Sequence, residues 1–173
     1  MSSVPEFSRV IDRRKLDRTV QTLRASEAER AALARRFGLV EIDRLEAELE
    51  LEVVGDTITA RGRLAAHWVQ SCAVSGDDLP VTVAEDIAFR FVPPVVSAPD
   101  EEIELEADEL DEIEYDGQAF DLGEAVAQSL SLAIDPYAVG PDAEATRKEA
   151  GIKSDDAPSG PLAEALAALK KGD

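Results

Sequence analysis

The sequence is poor in the residues that build disulfides, metal sites and nucleophilic active sites. Its 173 residues include one Cys, one His and one Trp, and aromatic residues make up 5%. A single thiol excludes an internal disulfide and is typical of a reducing compartment. A structural zinc site needs four Cys or His ligands, which Cys72 and His67 alone do not supply. We therefore expect no metal and no other cofactor.

Long hydrophobic runs are also missing. No stretch approaches the ~18 apolar residues of a membrane helix, and the opening MSSVPEFSRV lacks the apolar run of a signal peptide. We therefore expect a cytoplasmic protein that does not contact a membrane. The length of 173 residues is sufficient for one domain with a sizeable core. No sequence pattern predicts an oligomeric state.

Positive charge is scarce after residue 36. Residues 1–36 carry nine Lys and Arg against five Asp and Glu, whereas residues 37–173 carry nine against 32, a net charge of −23. A surface this acidic repels phosphate backbones and attracts basic proteins. Acidity that serves only solubility is the alternative, and composition leaves both interpretations open.

Period-two alternation predicts an antiparallel sheet. Apolar residues at odd positions alternate with glutamates in 45–54, and strand-forming runs follow at 57–74 and 80–92. Turns at Gly55-Asp56 and at 75–78 connect these runs, so neighbouring strands should pair antiparallel. Gly62 lies inside the longest run, where we expect a bulge or a bend. Shorter strands are expected near 19–24, 103–105 and 112–115.

Two capped apolar stripes predict helices. Ser26 and Glu29 match a capping box before a helix at 27–37 that ends at Gly38. Asp121 caps a helix at 121–134 that ends before Pro136. The predicted fold is α+β, a mainly antiparallel β-sheet or partial barrel packed by two helices. This single domain would span 1–150, and 151–173 would form a flexible tail with a short C-terminal helix.

Strand parity separates the two rarest side chains. His67 and Trp68 are adjacent and point to opposite faces of a strand. Trp68 shares its parity with Leu64 and Ala66, so we expect it in the core and His67 on the outer face. Cys72 is the only obvious catalytic partner for His67, and parity places the two on opposite faces.

Motifs that identify an enzyme are absent from the sequence. No phosphate-binding glycine loop, nucleophile elbow or zinc-protease helix occurs. An acid–base pair could be selected at will from 37 carboxylates, so their abundance indicates no particular site. We therefore expect no catalytic residues. A carboxylate-dependent hydrolase built on residues 100–116 is the alternative.

An acidic run is the first candidate binding surface. Ser97–Asp116 holds eleven acidic residues, no basic one and several apolar ones that could anchor a protein interface. The candidate partner-binding residues are Asp100, Glu101, Glu102, Glu109, Asp111, Glu112 and Tyr115.

A basic cluster is the alternative surface, with RNA as the ligand. It comprises Arg9, Arg13, Arg14 and Lys15. No aromatic residue beyond Phe7 accompanies it, so a stacking platform for single-stranded RNA is missing. We favour charge balance against the acidic face of the same molecule.

Three segments in this order resemble the YceD family, which is linked to accumulation of large-subunit ribosomal RNA. They are AHWVQSCAVSGDDLP at 66–80, the acidic run after it, and FDLGEAVAQSLSLAIDPYA at 120–138. The resemblance implies a non-enzymatic role in ribosome biogenesis. A basic ribosomal or rRNA-processing protein is the hypothetical partner, and direct binding of nucleic acid is less favoured. Many members carry Cys-x-x-Cys at this turn, which implies a metal, but here it reads Cys72-Ala73-Val74-Ser75.

Overall fold

The computed structural model describes residues 6–16, 19–94, 111–116 and 118–152. Along the chain lie seven strands and three α-helices within these ranges, with one 3₁₀ turn at Arg13–Lys15. The elements are β1 (Val10–Asp12), β2 (Thr19–Arg24), α1 (Glu27–Phe37), β3 (Glu41–Val54), β4 (Thr57–Ser71), β5 (Asp78–Val92), β6 (Asp111–Glu114), β7 (Ala119–Asp121), α2 (Leu122–Ala133) and α3 (Ala143–Glu149).

A five-stranded sheet in the order β2-β3-β4-β5-β6 organises the fold. Its first four strands pair antiparallel, and β6 joins β5 in parallel. The predicted α+β class with a mainly antiparallel sheet is confirmed. The sheet is open, with β2 and β6 at its edges, so it does not close into a barrel.

The two faces of the sheet differ as alternation predicts. On β3 the side chains of Leu45, Leu49 and Leu51 are buried, whereas Glu48 and Glu50 are exposed. Trp68 on β4 is fully buried, which confirms its predicted parity. The helices cover the apolar face alone: α1 packs on β3, while α2 contacts β5 and β1. The opposite face of the sheet carries exposed charged side chains such as Glu48, Glu50 and Arg63, interspersed with small apolar ones such as Ala65.

Two details of the central strands differ from the sequence-based prediction. The pairing of β3 with β4 is continuous at Gly62, and the register shift lies between Ile42 and Arg44. Gly62 serves close approach instead, because a Cβ there would lie 1.8 Å from the Glu48 carbonyl oxygen. Strand β4 ends at Ser71, earlier than predicted, because the Gly76 N–H donates to the Cys72 carbonyl at 3.0 Å and closes the turn there.

Both predicted helices are confirmed with their caps. In α1 the Ser26 hydroxyl accepts the Glu29 N–H while the Glu29 carboxylate accepts the Ser26 N–H, and Gly38 ends the helix with φ of 67°. In α2 the Asp121 carboxylate accepts the N–H groups of Gly123 and Glu124. These caps accept backbone N–H groups of the first turn, which have no acceptor within the helix.

The N-terminal segment forms a strand pairing that the sequence does not predict. Strand β1 pairs antiparallel with β7, joining residues more than 100 positions apart. Phe7 is fully buried against this ribbon. A Cβ at Gly123 would lie 2.7 Å from the Phe7 carbonyl oxygen, so the start of α2 tolerates no side chain there. Three-residue strands carry too little alternation to be recognised in a sequence.

Several predictions fall outside the described residues. They are the strand at 103–105 and the linker and helix of the C-terminal tail. The predicted strand near 112–115 corresponds to β6.

Candidate functional site

The described end of the acidic run forms an edge of the sheet. In β6, Glu112 is exposed and pairs with Arg90 on β5 at 3.1 Å. The backbone of Asp111 belongs to the same strand. The other predicted partner-binding carboxylates, Asp100, Glu101, Glu102 and Glu109, lie outside the described residues.

Tyr115 is a core residue and not an exposed anchor. Its side chain is buried, and its hydroxyl donates to the Asp56 carbonyl at 2.6 Å. The Arg13 guanidinium donates to the same hydroxyl at 3.3 Å. Its ring meets that of Phe120 edge-on, with centroids 6.2 Å apart. Tyr115 therefore does not protrude as an anchor, because its hydroxyl is bound within the fold. A partner could approach its ring only from the pocket beside it.

A pocket of about 280 Å³ opens beside Tyr115, between β6, β7 and the first turns of α2. We call it the aromatic pocket. Its buried side includes the rings of Phe91, Tyr115 and Phe120, and the centroids of Phe91 and Phe120 are 4.5 Å apart. Its other lining residues are Ile113, Glu114, Asp116, Ala119, Asp121, Glu124, Ala125 and Gln128. Sequence reasoning missed the aromatic pocket, because its rings come from three segments that only folding joins.

The predicted basic cluster is largely occupied by contacts within the molecule. Arg9 makes a bidentate pair with Glu29 at 2.6 and 3.0 Å, and its guanidinium also donates to the Ser8 and Arg24 carbonyls. The hydrogen bonds from Arg9, with help from Ser26, lower the pKa of Glu29 to about 2. A side chain held by four acceptors is a structural cross-link.

Arg13 is engaged in the same way, because it pairs with Asp56 and with Tyr115. The neighbouring Arg14 and Lys15 are exposed at the 3₁₀ turn. Of the four predicted RNA-binding residues, the fold therefore leaves two with their charge facing solvent.

His67 lies on the outer sheet face, as predicted, with its Nδ1 2.6 Å from an Asp43 carboxylate oxygen. Cys72 is buried at the end of β4. Its Sγ accepts the N–H groups of Gly140 at 3.3 Å, Ser75 at 3.4 Å and Val74 at 3.5 Å. Led by the Gly140 bond, these contacts lower the pKa of the Cys72 thiol to about 6.

The residues present do not fit a structural zinc. A zinc site would need three more ligands around Cys72. The sequence holds one Cys, and its one His lies on the outer face beside Asp43. Across the described ranges, no three His, Cys, Asp or Glu side chains come together in a group that could hold a metal ion.

Comparison with known proteins identifies the family. A family model described as "Large ribosomal RNA subunit accumulation protein YceD" matches residues 60–171, nearly two thirds of the chain. The chain belongs to this family. No curated protein and no solved structure matches it.

The YceD match begins inside β4 and includes the Cys72 turn, the acidic run and α2. The aromatic pocket lies entirely within it. The basic cluster and α1 lie outside it. No helix in the described part of the chain is both long enough and apolar enough to span a membrane.

Proposed function

We propose that this YceD-family protein promotes accumulation of large-subunit ribosomal RNA without catalysing a reaction. It would do so by binding a basic ribosomal or rRNA-processing protein through its acidic surface, chiefly residues 100–112. The observation that carries the proposal is that described carboxylates are exposed on separate strands of the sheet. Glu48 and Glu50 face solvent on β3, and Glu112 lies at the β6 edge. Carboxylates arranged in this way favour capture of a cationic surface.

The arrangement gives less support to direct RNA binding. Residues 37–173 carry a net charge of −23, which opposes the approach of phosphates. Arg9 and Arg13, half of the basic cluster, form ion pairs with Glu29 and Asp56. An RNA contact would depend on Arg14 and Lys15.

A hydrolase also receives less support. Its carboxylates would have to converge at a concave site. Among the described residues of the acidic run, Glu112 points to Arg90 on the sheet. Asp116 accepts the backbone N–H groups of Gln118 and Ala119. Glu114 and Asp116 do line the aromatic pocket, but the two N–H groups lower the pKa of Asp116, whereas a general acid needs a raised one.

The test compares two variants of equal net charge, and a third with two basic charges reversed, in cells that lack the endogenous protein. The first variant neutralises the candidate carboxylates through the substitutions D100N, E101Q, E102Q, E109Q, D111N and E112Q. The matched control neutralises six other exposed carboxylates through E41Q, D77N, D78N, D142N, E144Q and E149Q. A third variant, R14E/K15E, examines RNA binding. Large-subunit rRNA relative to small-subunit rRNA is the measurement.

We expect the first variant to lower large-subunit rRNA and its capture of purified large-subunit proteins, while the control keeps both. Capture should weaken as salt rises, because exposed charges set the association rate. Normal rRNA with the first variant, together with a loss in R14E/K15E, would refute the protein-partner proposal in favour of RNA.

A further inference from the structure

The aromatic pocket has the size of a site for one side chain. Its volume is about 280 Å³, just below the range of roughly 300–1,000 Å³ that small-molecule sites occupy. Phe91, Tyr115 and Phe120 line its base with only 1–6% of their surface exposed, and the half-buried Ile113 and Ala119 complete the apolar floor. An extended apolar stem laid on this floor would replace water at little entropic cost to the protein, because the rings are already fixed.

The rim of the aromatic pocket is acidic, and two of its four carboxylates are already committed. Asp121 caps α2 and accepts the Ser8 hydroxyl at 2.5 Å. Glu124 pairs with Arg36 at 2.8 Å.

The other two rim carboxylates face solvent without a cationic partner. Glu114 and Asp116 are exposed, and neither forms an ion pair with another described residue. Asp116 accepts the N–H groups of Gln118 and Ala119 at 3.0 and 3.1 Å, which fix its carboxylate beside the pocket. The same two bonds lower the pKa of Asp116.

We propose that the aromatic pocket receives a lysine or arginine side chain from the basic protein partner, with the aliphatic stem on the aromatic floor and the charge at Glu114 and Asp116. This inference rests on the proposed function and adds the point of attachment. Long basic side chains combine an apolar stem with a charged tip. Both halves of such a side chain find their complement here.

Charge argues against two other occupants. Residues 100–109 of the same chain carry seven carboxylates and no Lys or Arg, so they would bring like charge to the rim. A second copy of the protein is disfavoured for the same reason, since each copy carries a net charge of −19.

The test is a titration of the full-length isotopically labelled protein, followed by amide chemical shifts in NMR. The probes are hexalysine and fully Nε-acetylated hexalysine, which keeps the stem and lacks the charge. Four variants accompany the wild type. E114Q/D116N removes the two rim charges that have no cationic partner, and A119L fills the pocket. D142N/E144Q and A84L are their controls, which make the same changes at exposed positions elsewhere. Thermal melts report whether A119L folds.

We expect hexalysine to shift amides of Ile113, Ala119 and Ala125, and the acetylated probe to leave them unchanged. E114Q/D116N should weaken binding about fivefold, because each exposed ion pair contributes roughly two- to threefold. A119L should weaken it at least as much, while D142N/E144Q and A84L bind like the wild type.

Three outcomes would overturn the proposal that the pocket binds a basic side chain. The first is shifts spread over the open face of β3 and unaffected by A119L. The second is equal binding of the acetylated probe. The third is nuclear Overhauser contacts between residues 100–109 and the Phe120 ring in the free protein. If A119L does not fold, the comparison of the two probes decides alone. If hexalysine does not bind at the pocket but the six-carboxylate variant D100N–E112Q lowers large-subunit rRNA, the pocket proposal is wrong and the proposed function stands. If hexalysine binds at the pocket but that variant keeps normal rRNA, the proposed function is wrong and the pocket proposal stands.

Discussion

Replacement of Trp68 should be among the most destabilising changes in the chain. The indole is fully buried on the covered face of β4, and its Nε1 donates to the Gln70 side-chain oxygen at 2.8 Å. Gln70 in turn donates to the Asp135 carbonyl at 2.6 Å, after the end of α2. The indole therefore fills the core and also orients an amide that ties the sheet to the segment after α2.

The two roles can be separated by two substitutions. Trp68→Ala removes the ring and should cost about 3–5 kcal/mol, which lowers Tm by roughly 6–20 °C in a protein of this size. Trp68→Phe keeps much of the ring and removes the donor. It leaves the oxygen of Gln70, 6% exposed, without its partner, at a cost of about 1–3 kcal/mol.

The assay is urea unfolding followed by far-ultraviolet circular dichroism, because both variants lack the only tryptophan that fluorescence would report. His67→Ala is the control on the neighbouring position, where the side-chain pair with Asp43 is 35% and 48% exposed, and it should cost about 1 kcal/mol or less. Combining Trp68→Phe with Gln70→Leu should cost less than the sum of the two single changes. A loss in His67→Ala as large as in Trp68→Ala would refute the assigned strand faces.

Three further predictions concern α2 and the N-terminal segment. Leu130→Ala should cost about 2–5 kcal/mol in urea unfolding, because the side chain is fully buried in α2. Gly123→Ala should expose Phe7 to limited proteolysis of the N-terminal segment, since the new Cβ would lie 2.7 Å from its carbonyl oxygen. The Arg9 pair lowers the pKa of Glu29 from 4.5 to about 2, so its stabilisation is present above pH 4.5 and is lost as the pH falls towards 2. Urea unfolding of Glu29→Gln across that window should therefore show a weaker pH dependence than the wild type.

Local patterns predicted the central elements because their energetic cause is local. The alternation around Leu49 and Glu50 requires only that one face of the strand be buried. The capping box of α1 and the Asp121 cap of α2 act over three residues and are visible in any window that contains them. The parallel partner of β5 was not predicted, because a four-residue strand carries no mark of its direction.

The candidate site was harder to predict, because its contacts join distant parts of the chain. Arg9 meets Glu29 and the carboxylate of Asp121, and no spacing rule connects positions so far apart. Tyr115 lies in a run of carboxylates and was expected at the surface, but its hydroxyl finds a carbonyl in the β3–β4 turn. The one signal in the sequence was the scarcity of basic residues. A few cations among many carboxylates readily form ion pairs within the fold.

The ribbon of β1 and β7 sets an order of events during synthesis. β2 to β5 pair with strands close by in the chain, so they can associate as soon as each has emerged from the ribosome. β1 has to wait for residues 119–121, and Asp121 must arrive before Ser8 and the Arg9 backbone find their acceptor. The described N-terminal segment is therefore synthesised well before its β7 partner. Phe7, whose carbonyl lies against Gly123, can reach its fully buried position only after the start of α2 has been made.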